Sequence, residues 1–379
     1  MHNLCTDIIG KTKKNLMTEK KFFSLALELA RRVKGQTSPN PAVGCIIVKG
    51  NRIIGQGATH PAGGMHAEIA ALAEAGEKAK GSTVYVTLEP CVWYEGKRTP
   101  SCAEALIKAK VKKVLIGSID PNPHVRGKGI QQLRDAGIEV IMMNDLHREI
   151  LDLNQDFSKY VQTGIPYVIA KYAMTLDGQI ATGSGDSQWI TSEAARTRAH
   201  LLRSQVDAIM VGIGTVLSDN PRLTARLVNT VRQPLRIIID PRGETPAEAF
   251  VRNDGLPTLF ITLPGFGSHL QSPTSEVWEM GDAHGISMTE VFSKLGQEKK
   301  ISSILVEGGG RLLHRCLKEN TLDKLFVFIG GKLVGGRGIP PFNSEGANKL
   351  AEAPPVLRFY AENLEHDVLI HAYLKLWDV

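Results

Sequence analysis

Cysteine is scarce in this 379-residue sequence, and its five copies, Cys5, Cys45, Cys91, Cys102 and Cys316, are scattered. An odd, sparse set does not look like a disulfide framework and points to a reducing compartment. No apolar stretch is long enough to span a bilayer. Residues 1–17 lack the apolar core of a secretion signal and read as a loose N-terminal extension. Runs of like charge stop at pairs such as Lys13-Lys14, Lys20-Lys21 and Arg31-Arg32, which read as solvated surface. Aromatic residues are only 6% and are not interleaved with basic ones, so a base-stacking platform for single strands is missing. There is no internal repeat and no low-complexity tract.

What remains is an ordinary globular composition, 42% hydrophobic and 22% charged, at a length that suggests two or three domains. The net charge of +6 suits an anionic partner, a phosphate ester or nucleic acid.

Thr18 can cap a first helix whose Phe22, Phe23, Leu25, Ala26, Leu29, Ala30 and Val33 recur at helical spacing. A hairpin over Val43 to Val48 and Arg52 to Ile54 turns at Gly50-Asn51. His66 opens a helix that Gly81 closes. A strand over Thr83 to Leu88 delivers Glu89-Pro90-Cys91. Ser101 and Glu104 form a capping box for a helix starting at Cys102. Val114 to Ile116 and Ile138 to Met142 read as strands, with a helix over Gln131 to Ala136 between them. This alternation predicts an α/β sandwich. One helix is expected over Leu146 to Tyr160, and Thr163-Gly164-Ile165-Pro166 is the best linker. Beyond it, strands are expected at Tyr167 to Ala173, Ala208 to Val211, Leu235 to Ile239, Thr258 to Ile261, Ile304 to Val306, Leu325 to Phe328 and Val368 to Trp377. Helices are expected at Ser192 to Ser204 and Arg311 to Leu317.

His66, Cys91 and Cys102 supply one imidazole and two thiols, a donor set that holds zinc and leaves a fourth position open. Cys102 sits in a first helical turn, where the dipole favours a thiolate. Glu68 follows the imidazole by two positions and can move protons beside the metal. This is the arrangement of a zinc deaminase. A lone His-x-Glu says little, and a closed structural zinc site is the bland alternative. The usual signature has its second cysteine at Pro-Cys-x-x-Cys, whereas here residues 92–101 lie between the two. In the second half, Gly308-Gly309-Gly310 joins a strand to a helix, where backbone N–H groups can face a phosphate. Gly212-x-Gly214 lacks the third glycine of a Rossmann fingerprint. Arg203, Arg222 and Arg226 are cations suited to phosphate. Two other readings stand beside a two-site enzyme. A deaminase of nucleosides or RNA bases would leave the second-half motifs unexplained. A zinc-stabilised binding protein would have no use for Glu68 beside an open metal position.

The joint pattern resembles the RibD family of bifunctional riboflavin-biosynthesis enzymes, a pyrimidine deaminase fused to a reductase. Pro39-Asn40-Pro41, Val43-Gly44, His60, Ala62-Gly63, His66-Ala67-Glu68, Thr87 to Cys91, Arg98-Thr99-Pro100, Cys102 and Asp120 to Pro123 carry it in the first half. Leu176-Asp177-Gly178, Ser187 to Thr191, Gly214-Thr215-Val216, Asp219-Asn220-Pro221, Leu223-Thr224, Arg226 and Val306 to Gly309 carry it in the second. The resemblance covers nearly everything beyond residue 18.

The resemblance implies a cytidine-deaminase-like α/β/α sandwich over 18–162, followed by a dihydrofolate-reductase-like α/β domain over 163–379. It implies zinc on His66, Cys91 and Cys102, with Glu68 catalytic. The first domain would hydrolytically deaminate 2,5-diamino-6-(5-phosphoribosylamino)pyrimidin-4(3H)-one. The second would use NADPH to reduce the ribosyl chain to ribityl. Asn40 and His60 would line the deaminase pocket. Ala173, Trp189, Thr215, Asp219, Gly309, Gly310, Arg311, Leu312, Leu313, His314 and Arg315 match NADP-contacting positions. Ser187, Arg203, Leu223, Arg226 and Glu307 match substrate-contacting ones. The partner is then a small phosphorylated pyrimidine, with no nucleic acid and no membrane, in a cytoplasmic homo-oligomer. Four positions depart from the family pattern. Val92 and Trp93 stand where Ser-His is usual, Met65 replaces a proline, and Pro241 replaces a serine that could have donated to NADP.

Overall fold

The computed structural model describes residues 18–97, 99–143, 146–342 and 346–377; the extension expected over 1–17 and Arg98 lie outside them. The chain divides into two compact units, one running to Thr163 and taking in Trp377, the other covering Gly164–Leu376.

In the first unit, helix α1 covers 18–32 and buries Phe22, Phe23, Ala26, Leu27 and Ala30, one face at helical spacing. Residue 18 is already helical, so Thr18 is part of the helix and not the expected cap. Strands β1 (Gly44–Lys49) and β2 (Arg52–Ala58) form the hairpin. Gly50 and Asn51 both have positive φ, 56° and 62°, as a two-residue turn between twisted strands requires. Then come α2 (Ala67–Ala75), β3 (Thr83–Val86), α3 (Cys102–Lys108), β4 (Lys113–Ile116), α4 (Lys128–Asp135) and β5 (Glu139–Met142). α2 stops at Gly76, not Gly81. The single helix expected after residue 146 is two, α5 (His147–Leu153) and α6 (Gln155–Thr163). Asn154 breaks it because its side-chain amide turns to Ala42, accepting from the N–H at 2.9 Å and donating to the carbonyl at 3.0 Å.

The five strands run in the order β2-β1-β3-β4-β5. β1 is antiparallel to both its neighbours, and β3, β4 and β5 are parallel. Side-chain alternation sorts the core into two layers. Ile46, Val48, Tyr85 and Leu115 pack with α1 and with Ile150 of α5. Cys45, Ile47, Val84, Val86, Val114 and Ile116 pack beneath α2, α3 and α4. The result is the expected three-layer sandwich. A Cβ on Gly57 would lie 2.3 Å from the carbonyl oxygen of Ala67. α2 therefore rests almost on the backbone of β2, which fixes the end of the helix that carries the site.

The second unit contains β6 (Tyr167–Thr175), α7 (Glu193–Ser204), β7 (Ala208–Gly212), α8 (Ile213–Asp219), β8 (Leu235–Ile239), α9 (Phe250–Asn253) and β9 (Thr258–Thr262). It continues through β10 (Ser275–Glu279), α10 (Met288–Lys299), β11 (Ser303–Glu307), α11 (Gly310–Lys318), β12 (Lys324–Gly330), β13 (Arg358–Leu364) and β14 (Asp367–Tyr373). The last strand ends at Tyr373, short of the expected Trp377. The sheet has nine strands in the order β10-β9-β8-β7-β11-β6-β12-β14-β13. It is parallel from β10 to β12 and antiparallel through β14 and β13. α10 and α11 cover one face, through Phe292, Leu295, Leu313 and Cys316. α7 and α8 cover the other, through Ala199, Leu202 and Val216. Among the described residues no helix is long and apolar enough to cross a membrane.

Candidate functional site

His66 is the cap residue of α2, in extended conformation, and Glu68 lies in the first turn. Cys91 follows β3, and Cys102 is the first residue of α3. Ser101 joins these two cysteines. Its hydroxyl accepts the Glu104 N–H at 3.1 Å and donates to the Cys91 carbonyl at 3.2 Å, which also accepts from Ala103 N–H at 3.1 Å. The donor atoms of His66, Cys91 and Cys102 all lie within 4.8 Å of one another. His66 Nδ1 is 3.5 Å from Cys91 Sγ and 3.4 Å from Cys102 Sγ. Zinc bonds of about 2.3 Å to sulfur and about 2.0 Å to nitrogen put tetrahedral N and S ligands roughly 3.5 Å apart. The three side chains therefore fit zinc as they stand.

The charges in this pocket are coupled. The Cys102 hydrogen bond pulls the Cys91 thiol well below its usual range, burial opposes, and His66 reinforces the pull. Glu68 is 3% exposed, and burial first, then the Cys91 charge, raises its carboxyl to about 7. On the far side of His66, Thr99 Oγ1 lies 3.2 Å from Nε2, and Lys97 Nζ donates to the same oxygen at 2.7 Å. Beneath the site, the Glu89 carboxylate accepts four backbone N–H groups, from Asp120, Gly127, Gly129 and Ile130, at 2.9 to 3.1 Å. The roles of Thr99 and Glu89 were not read from the sequence. Both depend on neighbours far along the chain.

The remaining first-half positions are placed as follows. Asn40 is half-buried, and its carbonyl accepts the Thr37 hydroxyl at 2.9 Å. His60 is exposed, and its N–H donates to Met65 O at 2.9 Å, closing the loop ahead of His66. Among the described residues neither hydrogen-bonds any of the three ligands. Val92 packs into the core, while Trp93 is 64% exposed. Tyr94 packs against Cys91, Cys102 and Val125 and stacks on His124 with centroids 4.8 Å apart.

In the second unit, Arg203 and Glu307 come together in a two-pronged ion pair, Nε to Oε1 and Nη2 to Oε2, both 2.7 Å. Lys171, which sequence reasoning passed over as a strand residue, adds a third charge 3.6 Å from Glu307. His200 Nδ1 accepts the Arg226 N–H at 3.1 Å. Leu223 has φ 53° and is 2% exposed, a strained backbone for a bulky residue and a mark of functional segments.

Gly308 has φ 120°, and a Cβ there would lie 2.5 Å from Thr215 Oγ1. That hydroxyl accepts the Gly309 N–H at 3.1 Å. Gly309 caps α11. The backbone of Gly310 to Leu313 opens this helix, although the side chains of Leu312 and Leu313 are in the core. Arg311 is exposed and His314 half-buried. Arg315 donates to Ile286 O at 2.9 Å. Ala173 lies on β6 opposite Phe328, and Asp219 ends α8, exposed. Ser187 is exposed. Trp189 is 58% exposed, with the Arg196 guanidinium 4.6 Å from its ring centroid. Beyond β8, the Pro241 carbonyl accepts Leu263 N–H at 3.0 Å. The start of α11, opened by Gly309 and Gly310, is a helix N-terminus of the kind that suits a phosphate-bearing cofactor.

Residues 16–118 match the family described as the cytidine and deoxycytidylate deaminase zinc-binding region. Residues 166–366 match the RibD C-terminal domain. The riboflavin biosynthesis protein RibD of Aquifex aeolicus is 42% identical over 353 residues, 93% of this chain and 97% of that protein. Its namesake in Escherichia coli is 38% identical over 374 residues, 94% and 99% of the two chains. Among solved structures, Acinetobacter baumannii RibD superposes with a TM-score of 0.81 at 36% identity, covering 94% of this chain and 99% of that one. A Thermotoga maritima diaminohydroxyphosphoribosylaminopyrimidine deaminase/5-amino-6-(5-phosphoribosylamino)uracil reductase superposes with a TM-score of 0.82 at 35% identity, with the same coverage.

Proposed function

This chain belongs to the RibD family of bifunctional riboflavin-biosynthesis enzymes, a zinc-binding deaminase joined to a reductase, and we propose that its two units act in turn on one phosphorylated pyrimidine. The substrates are those in the name of the Thermotoga relative. The diaminopyrimidinone phosphate loses its amine in the first unit, and NADPH reduces the resulting uracil's ribosyl chain to ribityl in the second.

The observation that carries this reading is the buried Glu68 beside three donors with zinc spacing. Zinc held by His66, Cys91 and Cys102 would supply a Lewis acid that lowers the pKa of water. Glu68 takes a proton from the attacking water and gives it to the ring nitrogen, then takes the second proton from the oxygen now bonded to the ring carbon and gives it to the departing amine, which leaves as ammonia while that oxygen becomes a carbonyl. Glu89 acts from below, holding Gly127 and the start of α4 against the loop that bears Cys91. Asn40 and His60 complete the pocket as substrate contacts.

In the second unit, Gly309 to Arg315 receive the cofactor phosphates, with Thr215, Ala173, Trp189 and Asp219 around the rest of NADPH. Ser187, Arg203, Leu223, Arg226 and Glu307 hold the substrate. The protein's part in hydride transfer is position and charge, and the Arg203–Glu307 pair supplies both. A cytoplasmic homo-oligomer completes the reading; among the described residues the four cysteines are buried and unbridged, in keeping with a reducing location.

A coupled assay tests it, scoring ammonia release from the diaminopyrimidinone phosphate and NADPH oxidation separately. Ammonia release that depends on zinc, followed by NADPH oxidation, is the expected result. NADPH oxidation without ammonia release would remove the deaminase half of the proposal.

A further inference from the structure

We propose that Thr99 is the positioning residue of the metal centre: its hydroxyl receives the Nε2 proton of His66 and holds the imidazole in the tautomer that offers Nδ1 to the metal. Lys97 braces Thr99 from the other side. The proposal rests on reading His66, Cys91 and Cys102 as the zinc ligands.

A neutral imidazole carries one N–H. With Nδ1, 3.4 and 3.5 Å from the two sulfurs, given to the metal, that proton resides on Nε2 and needs an acceptor. Thr99 Oγ1 is 3.2 Å away. A hydroxyl oxygen has two lone pairs. Lys97, which can only donate, occupies one of them at 2.7 Å, and its other bonds go to the carbonyls of Thr99 at 2.9 Å and Pro100 at 3.0 Å. The second lone pair is left for His66. Ser101 then caps α3 and ties it to Cys91, and Cys102 follows. One short stretch therefore carries the brace, the orienting hydroxyl, the helix cap and a ligand. Ring orientation by the partner of the distal N–H is worth about 10–100-fold in metal affinity.

The test is chelator competition for zinc on the full chain, with the absorption spectrum of the cobalt-substituted protein as a second readout. Thr99→Val is expected to weaken zinc binding about 10–100-fold and to move the cobalt bands. Thr99→Ser restores both, and Lys97→Met falls between wild type and Thr99→Val. The metal-free proteins are expected to melt together. Zinc held by Thr99→Val as tightly as by wild type would overturn the proposal, as would a metal-free Thr99→Val protein already destabilised, because the residue would then be structural. If Cys102→Ser leaves wild-type zinc binding intact, the ligand assignment itself fails, whatever Thr99 does.

Discussion

Arg203 and Glu307 grip each other with two parallel bonds of 2.7 Å, the guanidinium side chain 14% and the carboxylate 9% exposed. Burial alone would raise the Glu307 carboxyl. The charges of Arg203 and Lys171 outweigh it and hold the group down at about 2. The pair ties the end of β11 to α7 and keeps a full negative charge at the mouth of the glycine turn.

Removing one partner strands the other. Arg203→Ala leaves a buried carboxylate with only Lys171 beside it, and breaking such a pair costs about 3 kcal/mol or more. Denaturant unfolding of the second unit is expected to shift by that amount. NADPH oxidation should be lost while ammonia release persists. Arg203→Lys keeps the charge without the fork and should recover only part of the stability. Unchanged unfolding in Arg203→Ala would refute the role given to the pair.

Acid should loosen the second unit well before its carboxylates titrate. His200 and His371 are each held down to about 4, by burial first, then by Arg203 and Arg226 for His200 and by Lys324 for His371. In the unfolded chain both return to about 6.5. Between those values the unfolded chain binds more protons, so stability is complete above about pH 6.5 and falls as the pH drops toward 4. Urea midpoints across that range report the slope, and His200→Gln should flatten it. An equally steep slope in the variant would count against His200.

Glu68→Gln keeps the shape of the side chain and removes its proton traffic. A drop in ammonia release of about 100-fold or more is expected, with zinc content and NADPH oxidation unchanged. Ammonia release at the wild-type rate would show that another group moves the protons.

Glu89→Ala leaves four inward-pointing N–H groups without their acceptor. Hydrogen bonds to a charged group are each worth about 1.5–3 kcal/mol, so the first unit should lose about 3 kcal/mol or more in chemical denaturation. Zinc retention should fall with it, since the same loop bears Cys91. A loss below about 1 kcal/mol would mean that water replaces the carboxylate.

The sequence was most readable where residue type alone constrains the answer. His66, Cys91 and Cys102 are legible because few side chains bind zinc. The central strands of the second unit are legible because parallel strands buried on both faces read as unbroken apolar runs, as Ala208–Gly212 does. β10, with glutamates at Glu276 and Glu279, and β13, with Glu362 and Asn363, are rim strands and show no such run. α10 was passed over although Ser287 caps it by accepting the Glu290 N–H, a signal present in the sequence. The break at Asn154 was out of reach, because what bends the helix is the backbone of Ala42. The same is true of Glu89 and Thr99, whose partners become neighbours only in the folded chain.

The order of strands in the larger sheet sets a timetable for synthesis. β6 is the first strand of its unit to leave the ribosome, yet its two neighbours are β11 and β12, among the last. Residues 167–175 must wait unpaired until the chain has been made past residue 303, and distant pairings of this kind slow folding and prolong exposure. A chain that stops before that point lacks strands from the middle of the sheet, not merely from its rim. The five-stranded sheet of the first unit is complete by Met142 and does not have to wait for them.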